Sequence, residues 1–243
     1  MINYQDILNN GIIIKSSGTS STPKEFFQSP AKLKEANKVA IAAQQITKDS
    51  KIYTCCKITH AGGLLAQTLP ALSLGATVDI EDFNAYTFVK KIKNYTHTHI
   101  TPLHARAIMM TKEFLNLDLT GIWITCGAEP VHWDIIEQFV DRGATFMVNW
   151  GMSEIGPIAI NTVFDNMETV KDYKHIAPPN STILGNTAWC EFKIVDDELA
   201  VKGPICVVPG WYMTQDKVVM IDSTLYYLGR TNKDIDLWKL QKG

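Results

Sequence analysis

The sequence predicts an α/β chain: a largely parallel sheet flanked by helices, followed by a small antiparallel β subdomain. Two observations carry this. Between residues 51 and 150, short β-branched or aromatic runs alternate with stretches of about ten residues at helical spacing, the pattern of strands joined by helical crossovers. After about residue 165 the texture changes. Asp196-Asp197, Gly203-Pro204, Pro209-Gly210 and Asp222-Ser223 punctuate short β-rich runs from about 180 to 228. The expected division is 1–170 for an α/β core and 171–243 for the β-rich part.

Residues 1–11 read as a short helix and turn, and Ile12-Ile13-Ile14 as a strand. A hydroxyl-rich loop follows. Ser29-Pro30 is an N-cap with Pro at the first helical position, and Leu33, Ala36, Val39, Ala40, Ala43 and Ile46 place one face of 30–47 in the core. Strands are expected over 51–56, 76–80, 97–101, 121–126 and 145–150. Helices are expected over 64–74, 84–94, 103–112 and 130–142. Ligands of such sheets sit at the carboxyl ends of the strands. The hydroxyl-rich loop, His60, Gly127-Ala128-Glu129 and Trp150-Gly151 all follow predicted strands and so could share one rim.

Composition removes several classes. A net charge of −2 gives no electrostatic case for nucleic acid or an anionic membrane surface. No apolar run reaches the length of a membrane span, and the first residues do not read as a signal peptide. Five cysteines, with no CxxC, suggest reduced and mostly buried thiols in a cytoplasmic protein. His97, His99 and His104 include a His-x-His pair whose rings share one strand face. No Cys, Asp or Glu completes a metal set beside them, so they read as packed or exposed histidines.

The loop Ser16-Ser17-Gly18-Thr19-Ser20-Ser21-Thr22-Pro23-Lys24-Glu25 concentrates hydroxyls, backbone N–H groups and one lysine, the groups that cradle phosphate oxygens. It is not a Walker A loop. Read alone, it is more often a polar surface turn, as Ser/Thr/Pro clusters usually are. Its wording resembles the [ST]SG[ST]TGxPKG signature of the acyl-adenylate-forming enzymes, among them acyl-CoA synthetases, luciferases and peptide-synthetase adenylation domains. Ser17, Gly18, Thr19, Pro23 and Lys24 match, while Ser21 and Glu25 replace two family glycines. Glu25 would also bring a negative charge near a polyphosphate. The resemblance implies that Ser16, Ser17, Gly18, Thr19, Ser20 and Lys24 face the phosphates of ATP.

Five further stretches match the same family in the same order. Gly127-Ala128-Glu129-Pro130 is similar to its GGAxP turn along the adenine, with Cys126 in place of the first glycine. Trp150-Gly151-Met152-Ser153-Glu154 resembles YGxTE. That implies Trp150 against the adenine, Ser153 towards phosphate and Glu154 on Mg²⁺. The run from Glu198 to Pro204 resembles GELxxxGP. Gly210-Trp211-Tyr212-Met213-Thr214-Gln215-Asp216 resembles GYxxTGD with Gln215 for glycine, and Gly229-Arg230 matches the pair before the family's interdomain hinge. Asp216 would accept from the ribose hydroxyls, with Arg230 in support. Thr59-His60-Ala61-Gly62-Gly63-Leu64 looks most like the turn of o-succinylbenzoate–CoA ligases, which would put His60 near the acyl pocket or the adenylation centre.

The resemblance implies attack of a small carboxylic acid on the α-phosphorus of ATP. The products are acyl-AMP and pyrophosphate, with CoA as an acceptor for a following thioester step. Lys24 and Mg²⁺ would offset charge on the leaving pyrophosphate. Measured against the family, the chain starts late and stops soon after Arg230, so the domain bearing the catalytic lysine is expected to be absent. Lys239 and Lys242 do not sit in that motif. Two alternatives therefore stand beside an active ligase. One is a nucleotide- or acyl-adenylate-binding module with reduced catalysis. The other is one subunit of a split ligase, with a partner chain or a second copy covering the open faces.

Overall fold

The computed structural model describes residues 3–15 and 24–231. Helix α1 (Tyr4–Asn10) is capped by the Asn3 side chain, which accepts from Asp6 N at 3.1 Å. Strand β1 (Ile12–Lys15) pairs antiparallel with β2 (Glu25–Gln28). β2 is not legible in the sequence, where it merges with the loop before it. It exists because Ile14 faces Phe26 and Lys15 faces Glu25 across the hairpin. Helix α2 (Pro30–Gln44) starts as expected: Ser29 Oγ accepts from Lys32 N, and Pro30 needs no donor partner. It ends at Gln45, in the left-handed region with φ 54°.

Five parallel strands follow in alternation with helices. These are β3 (Lys51–Thr54), α3 (Ala61–Gly63) running through a π-helical stretch Leu64–Thr68 into α4 (Leu69–Ser73), then β4 (Thr77–Ile80) and α5 (Ala85–Lys91). After them come β5 (His97–Ile100), α6 (Pro102–Met109), β6 (Trp123–Gly127), α7 (Trp133–Val140) and β7 (Thr145–Met152). Besides β2, two elements were not expected: β8 (Gly156–Phe164), antiparallel to β7, and α8 (Met167–Ile176). β8 is buried along nearly its whole length, so it lacks the polar alternation that marks a half-exposed strand. α8 buries only Val170 and reads in sequence as a polar connection.

The chain then forms β9 (Thr182–Gly185), β10 (Thr187–Ala188), β11 (Glu191–Val195), β12 (Glu198–Lys202), β13 (Tyr212–Ile221) and β14 (Thr224–Arg230). The large sheet has the order β10-β8-β7-β6-β5-β3-β4, parallel from β4 to β7. The small antiparallel sheet has the order β11-β12-β13-β14-β9.

Helices cover both faces of the large sheet. On one face α5, α6, α7 and α8 bury Phe88, Ile108, Ile135, Phe139 and Val170 against Ile124, Phe146 and Phe164. On the other, α2 and the 61–73 helical segment enclose a buried polar network. Gln67 Nε2 donates to Gln44 Oε1 at 2.7 Å, Thr125 Oγ1 donates to the same oxygen at 2.7 Å, and Gln44 Nε2 donates to Ala66 O at 2.6 Å. One of its atoms, Gln67 Oε1, is left without a partner, but the bonds that are made fix relative position more strictly than apolar contact, because each misplacement would strand a further desolvated group. The network ties the wide turn of the π-helix to α2 and β6. A second apolar cluster, with Ile155, Ile160, Leu184, Leu199, Ile205 and Val218, joins the small sheet to the edge of the large one.

Candidate functional site

The described rim is built at the carboxyl ends of β3, β6 and β7 and completed by the small sheet. Gly127 closes β6. A Cβ there would stand 2.4 Å from Asn149 O, so the approach of β6 to β7 requires glycine. Ala128 follows with φ 73°, turning the chain outwards, and Ala128 and Glu129 are exposed. Gly151 in β7 is under the same restraint, since its Cβ would lie 2.4 Å from Pro157 O in the facing strand.

Trp150 sits where the two sheets meet. Its ring packs on the cluster formed by Ile160, Leu199 and Val218, and Nε1 donates to Asp216 Oδ2 at 2.9 Å. The other carboxylate oxygen of Asp216 accepts from Arg230 Nε at 3.0 Å, across the β13–β14 register that pairs the two residues. Asp216 is almost fully buried, whereas half of the Arg230 side chain is exposed. Burial pushes the Asp216 carboxyl above its ordinary range, and the Trp150 and Arg230 bonds oppose that push. A carboxylate has about four acceptor positions, so these two bonds leave it able to accept further donors.

Just before Asp216, Gln215 stands in the left-handed region with φ 64°, at the position where the family carries glycine. Two bonds hold it there: Gln215 N donates to the buried Glu198 carboxylate at 2.9 Å, and Thr231 N donates to Gln215 O at 2.8 Å. Glu198 opens the GELxxxGP-like run, but its part in holding the Gln215-Asp216 turn was not read from the sequence. Only the register of β12 against β13 reveals it.

The turn carrying Ser153 and Glu154 is held from three sides. Gln28 Nε2, at the end of β2, donates to Ser153 O at 2.9 Å. Val207 N and Val208 N both donate to Glu154 O at 3.1 Å. The Tyr212 hydroxyl bonds the Glu154 side chain. Burial, reinforced by that carboxylate, holds the Tyr212 phenol above its usual value. The hairpin flanking the Ser/Thr loop, the Glu154 turn and the small sheet are thereby joined. His60 is half-buried, and its Nδ1 lies 3.4 Å from Lys15 O, at the foot of the same loop. Glu25 pairs with Lys15 at 3.3 Å across the hairpin. Lys24 is exposed directly before β2. Ser16, Ser17, Gly18, Thr19 and Ser20 lie outside the described residues, as do Lys239 and Lys242.

His97 Nε2 is 3.0 Å from Gln44 O, which accounts for its burial. Among the described residues no group of three His, Cys, Asp or Glu side chains is placed to hold a metal ion. An open depression of about 450 Å³, lined by Asp118, Thr120, Asp141 and Arg142, lies at the amino ends of β6 and β7, opposite the rim. No described helix is long and apolar enough to cross a membrane.

A parallel sheet whose strand ends meet a small antiparallel sheet through an indole, a buried aspartate and an arginine is the arrangement expected of an adenylate-forming enzyme. The chain belongs to the AMP-binding enzyme family, whose sequence model matches residues 10–213. It is 30% identical over 152 residues to an indoleacetate–CoA ligase of Aromatoleum aromaticum, covering 61% of this chain and 30% of that protein. It is 22% identical to a mitochondrial malonate–CoA ligase of Bos taurus, over 96% of this chain and 49% of the relative. The chain thus spans less than half the length of these relatives. Its fold is that of o-succinylbenzoate coenzyme A synthetase of Bacillus subtilis in complex with AMP, with a TM-score of 0.73 and 18% identity over 90% of this chain and 49% of that one. ATP-bound MatB of Rhodopseudomonas palustris gives 0.74 and 16%, over 90% and 47%.

Proposed function

We propose that this chain activates a small carboxylic acid with ATP, forming acyl-AMP and pyrophosphate, and that CoA accepts the acyl group in a second step. The observation that carries this reading is the Trp150–Asp216–Arg230 junction beside the Glu154 turn, at the strand ends of an AMP-binding enzyme fold. The matched relatives, an indoleacetate–CoA ligase and a malonate–CoA ligase, support an acid–thiol ligase class.

In this reading Asp216 accepts from the ribose hydroxyls through its remaining lone pairs, and Arg230 keeps it ionised and oriented. Gly127, Ala128, Glu129, Trp150 and Gly151 border the adenine. Ser16, Ser17, Gly18, Thr19, Ser20 and Ser153 face the phosphates. Lys24 places a positive charge near the leaving pyrophosphate, and His60 faces the acid. Glu154 suits Mg²⁺: it is a hard oxygen donor on a turn fixed from three sides, and Mg²⁺ takes one or two protein carboxylates plus phosphate oxygens. When bound, the ion supplies charge neutralisation on the phosphates. We place the reaction in the cytoplasm, with residues 1–170 as the nucleotide-binding core and 171–243 as the β-rich part. A partner chain or a second copy covers the faces flanking the site.

The test is thermal unfolding with and without Mg·ATP and AMP, followed by pyrophosphate release with a panel of aryl and short-chain acids. A ligand at about 100 times its Kd stabilises the native state by roughly 2.7 kcal/mol. A shift in the wild type that Asp216→Ala removes, with pyrophosphate release for at least one acid, is expected. No shift in the wild type would overturn the reading. A shift without release would leave a binding module.

A further inference from the structure

Asp216 stands in a break of the β12–β13 ladder. Glu198 is paired with Lys217 and Ala200 with Met213, so Thr214, Gln215 and Asp216 together stand opposite Leu199 alone. Bulges re-aim side chains and recur beside active sites, and they take backbone donors out of the ladder. Two such donors lie here. Asp216 N donates to Thr214 Oγ1 at 3.2 Å, and that hydroxyl donates in turn to Leu199 O at 2.8 Å. Gln215 N donates to the Glu198 carboxylate at 2.9 Å.

The second bond has a further consequence for the backbone. Gln215 has a φ of 64°, which glycine adopts freely and other residues resist. Its side chain is exposed, whereas Glu198 is buried in the neighbouring strand. The constraint on Gln215 therefore acts through its backbone: Glu198 holds the N–H, and Thr231 N holds the carbonyl at 2.8 Å. Glu198 does this against repulsion. Burial is the main cause that raises the Asp216 carboxyl, and the Glu198 charge adds to it. An anion is nevertheless the stronger acceptor for a backbone N–H.

We propose that Glu198 is a positioning residue for nucleotide binding. Its carboxylate holds Gln215 in the left-handed conformation from which the next residue, Asp216, is aimed at the ribose. With glutamine rather than glycine at 215, this chain depends on that bond. The inference rests on the reading of Asp216 given under the proposed function.

The experiment measures the AMP dissociation constant by titration calorimetry, at a temperature where circular dichroism shows each variant folded. Glu198→Ala is expected to weaken AMP about tenfold, the worth of one bond to a charged group. Glu198→Gln keeps an acceptor oxygen and is expected to bind close to the natural chain. The decisive variant combines Glu198→Ala with Gln215→Gly. It is expected to bind AMP as Gln215→Gly alone does, because glycine takes the conformation without being held. Its urea stability is not expected to recover, because the cavity at 198 remains. Recovery of binding without recovery of stability separates positioning from packing. If Glu198→Ala does not fold, Glu198→Asp, which draws the acceptor back by one methylene, takes its place with the same expected outcomes. Unchanged AMP affinity in the Glu198 variant, or a double variant that binds no better than it, would overturn the proposal and leave the nucleotide reading standing. No AMP binding by the natural chain would overturn that reading, and the proposal with it.

Discussion

Trp150 Nε1 lies 2.9 Å from Asp216 Oδ2, and this single bond links the last parallel strand of the large sheet to the central strand of the small one. Trp150→Phe keeps an aromatic ring in the cluster but removes the donor. Asp216 still accepts from Arg230, so the loss is one partly buried hydrogen bond, about 1–2 kcal/mol. Urea unfolding measures it. If the bond also orients Asp216 towards the ribose, AMP-induced stabilisation falls in the same variant.

Glu154→Gln separates metal from nucleotide. The amide keeps the size of the side chain and a group for Tyr212 to bond, but removes the charge that suits Mg²⁺. The expected outcome is loss of the Mg²⁺-dependent part of the ATP-induced shift, with the AMP-induced shift retained. Both are read by thermal unfolding. Equal loss of the two shifts would mean that Glu154 holds the turn rather than the ion.

Gln215 occupies the left-handed region, where a side chain costs roughly 1–2 kcal/mol and glycine far less. Glycine carries an entropic penalty of roughly 0.5–1 kcal/mol. Gln215→Gly should therefore be neutral or stabilising by up to about 1 kcal/mol, with nucleotide binding unchanged. Gln215→Ile should be destabilising, since β-branched residues resist that conformation most. Chemical denaturation of the two variants checks the order.

His99 is buried, its Nδ1 has no hydrogen-bond partner, and its ring lies under Gly62. Burial, with the His104 charge as a lesser cause, lowers its pKa to about 4. The unfolded chain binds this proton more tightly, so the stabilisation is complete above the unfolded value near 6.5. It is lost as pH falls from there towards 4. The loss is about 3 kcal/mol at its full extent. His99→Gln should flatten the acid limb of stability in that window, measured as urea midpoints between pH 7 and 4. An unchanged slope would mean that other groups carry it.

Much of the fold was legible because helix and strand periods differ and the connecting residues announce their turns. Ser29-Pro30 opened α2 where expected, and the alternation from 51 to 150 produced five parallel strands. β2, β8 and α8 were not legible. β2 is four residues long and depends on its pairing with β1, β8 is buried along nearly its whole length, and α8 buries a single residue. The stretches proposed for the site were visible in the sequence only as motif order. Short stretches at 127–130, 150–154, 210–216 and 229–230, far apart in sequence, come to one rim and one sheet junction. The exchange of Glu25 for a family glycine suggested a negative charge near the phosphates. In the structure Lys15 stands opposite it at the base of the hairpin.

By itself, the sequence determined the types and alternation of the elements other than β2, β8 and α8, and the residue chemistry available to the site, because these depend on local periodicity and on side-chain identity. Tertiary structure decided which partners those residues meet. Asp216 is an acidic residue in a turn until the β13–β14 register places Arg230 opposite it and packing of the two sheets brings the Trp150 indole to its other oxygen. Gln215 is an unfavourable residue for its conformation until Glu198, from the neighbouring strand, accepts its N–H. Such contacts join residues from 14 to 66 positions apart. Their physical origin is the requirement that buried polar groups be paired once the sheets close over them, a condition that arises only when the chain has folded.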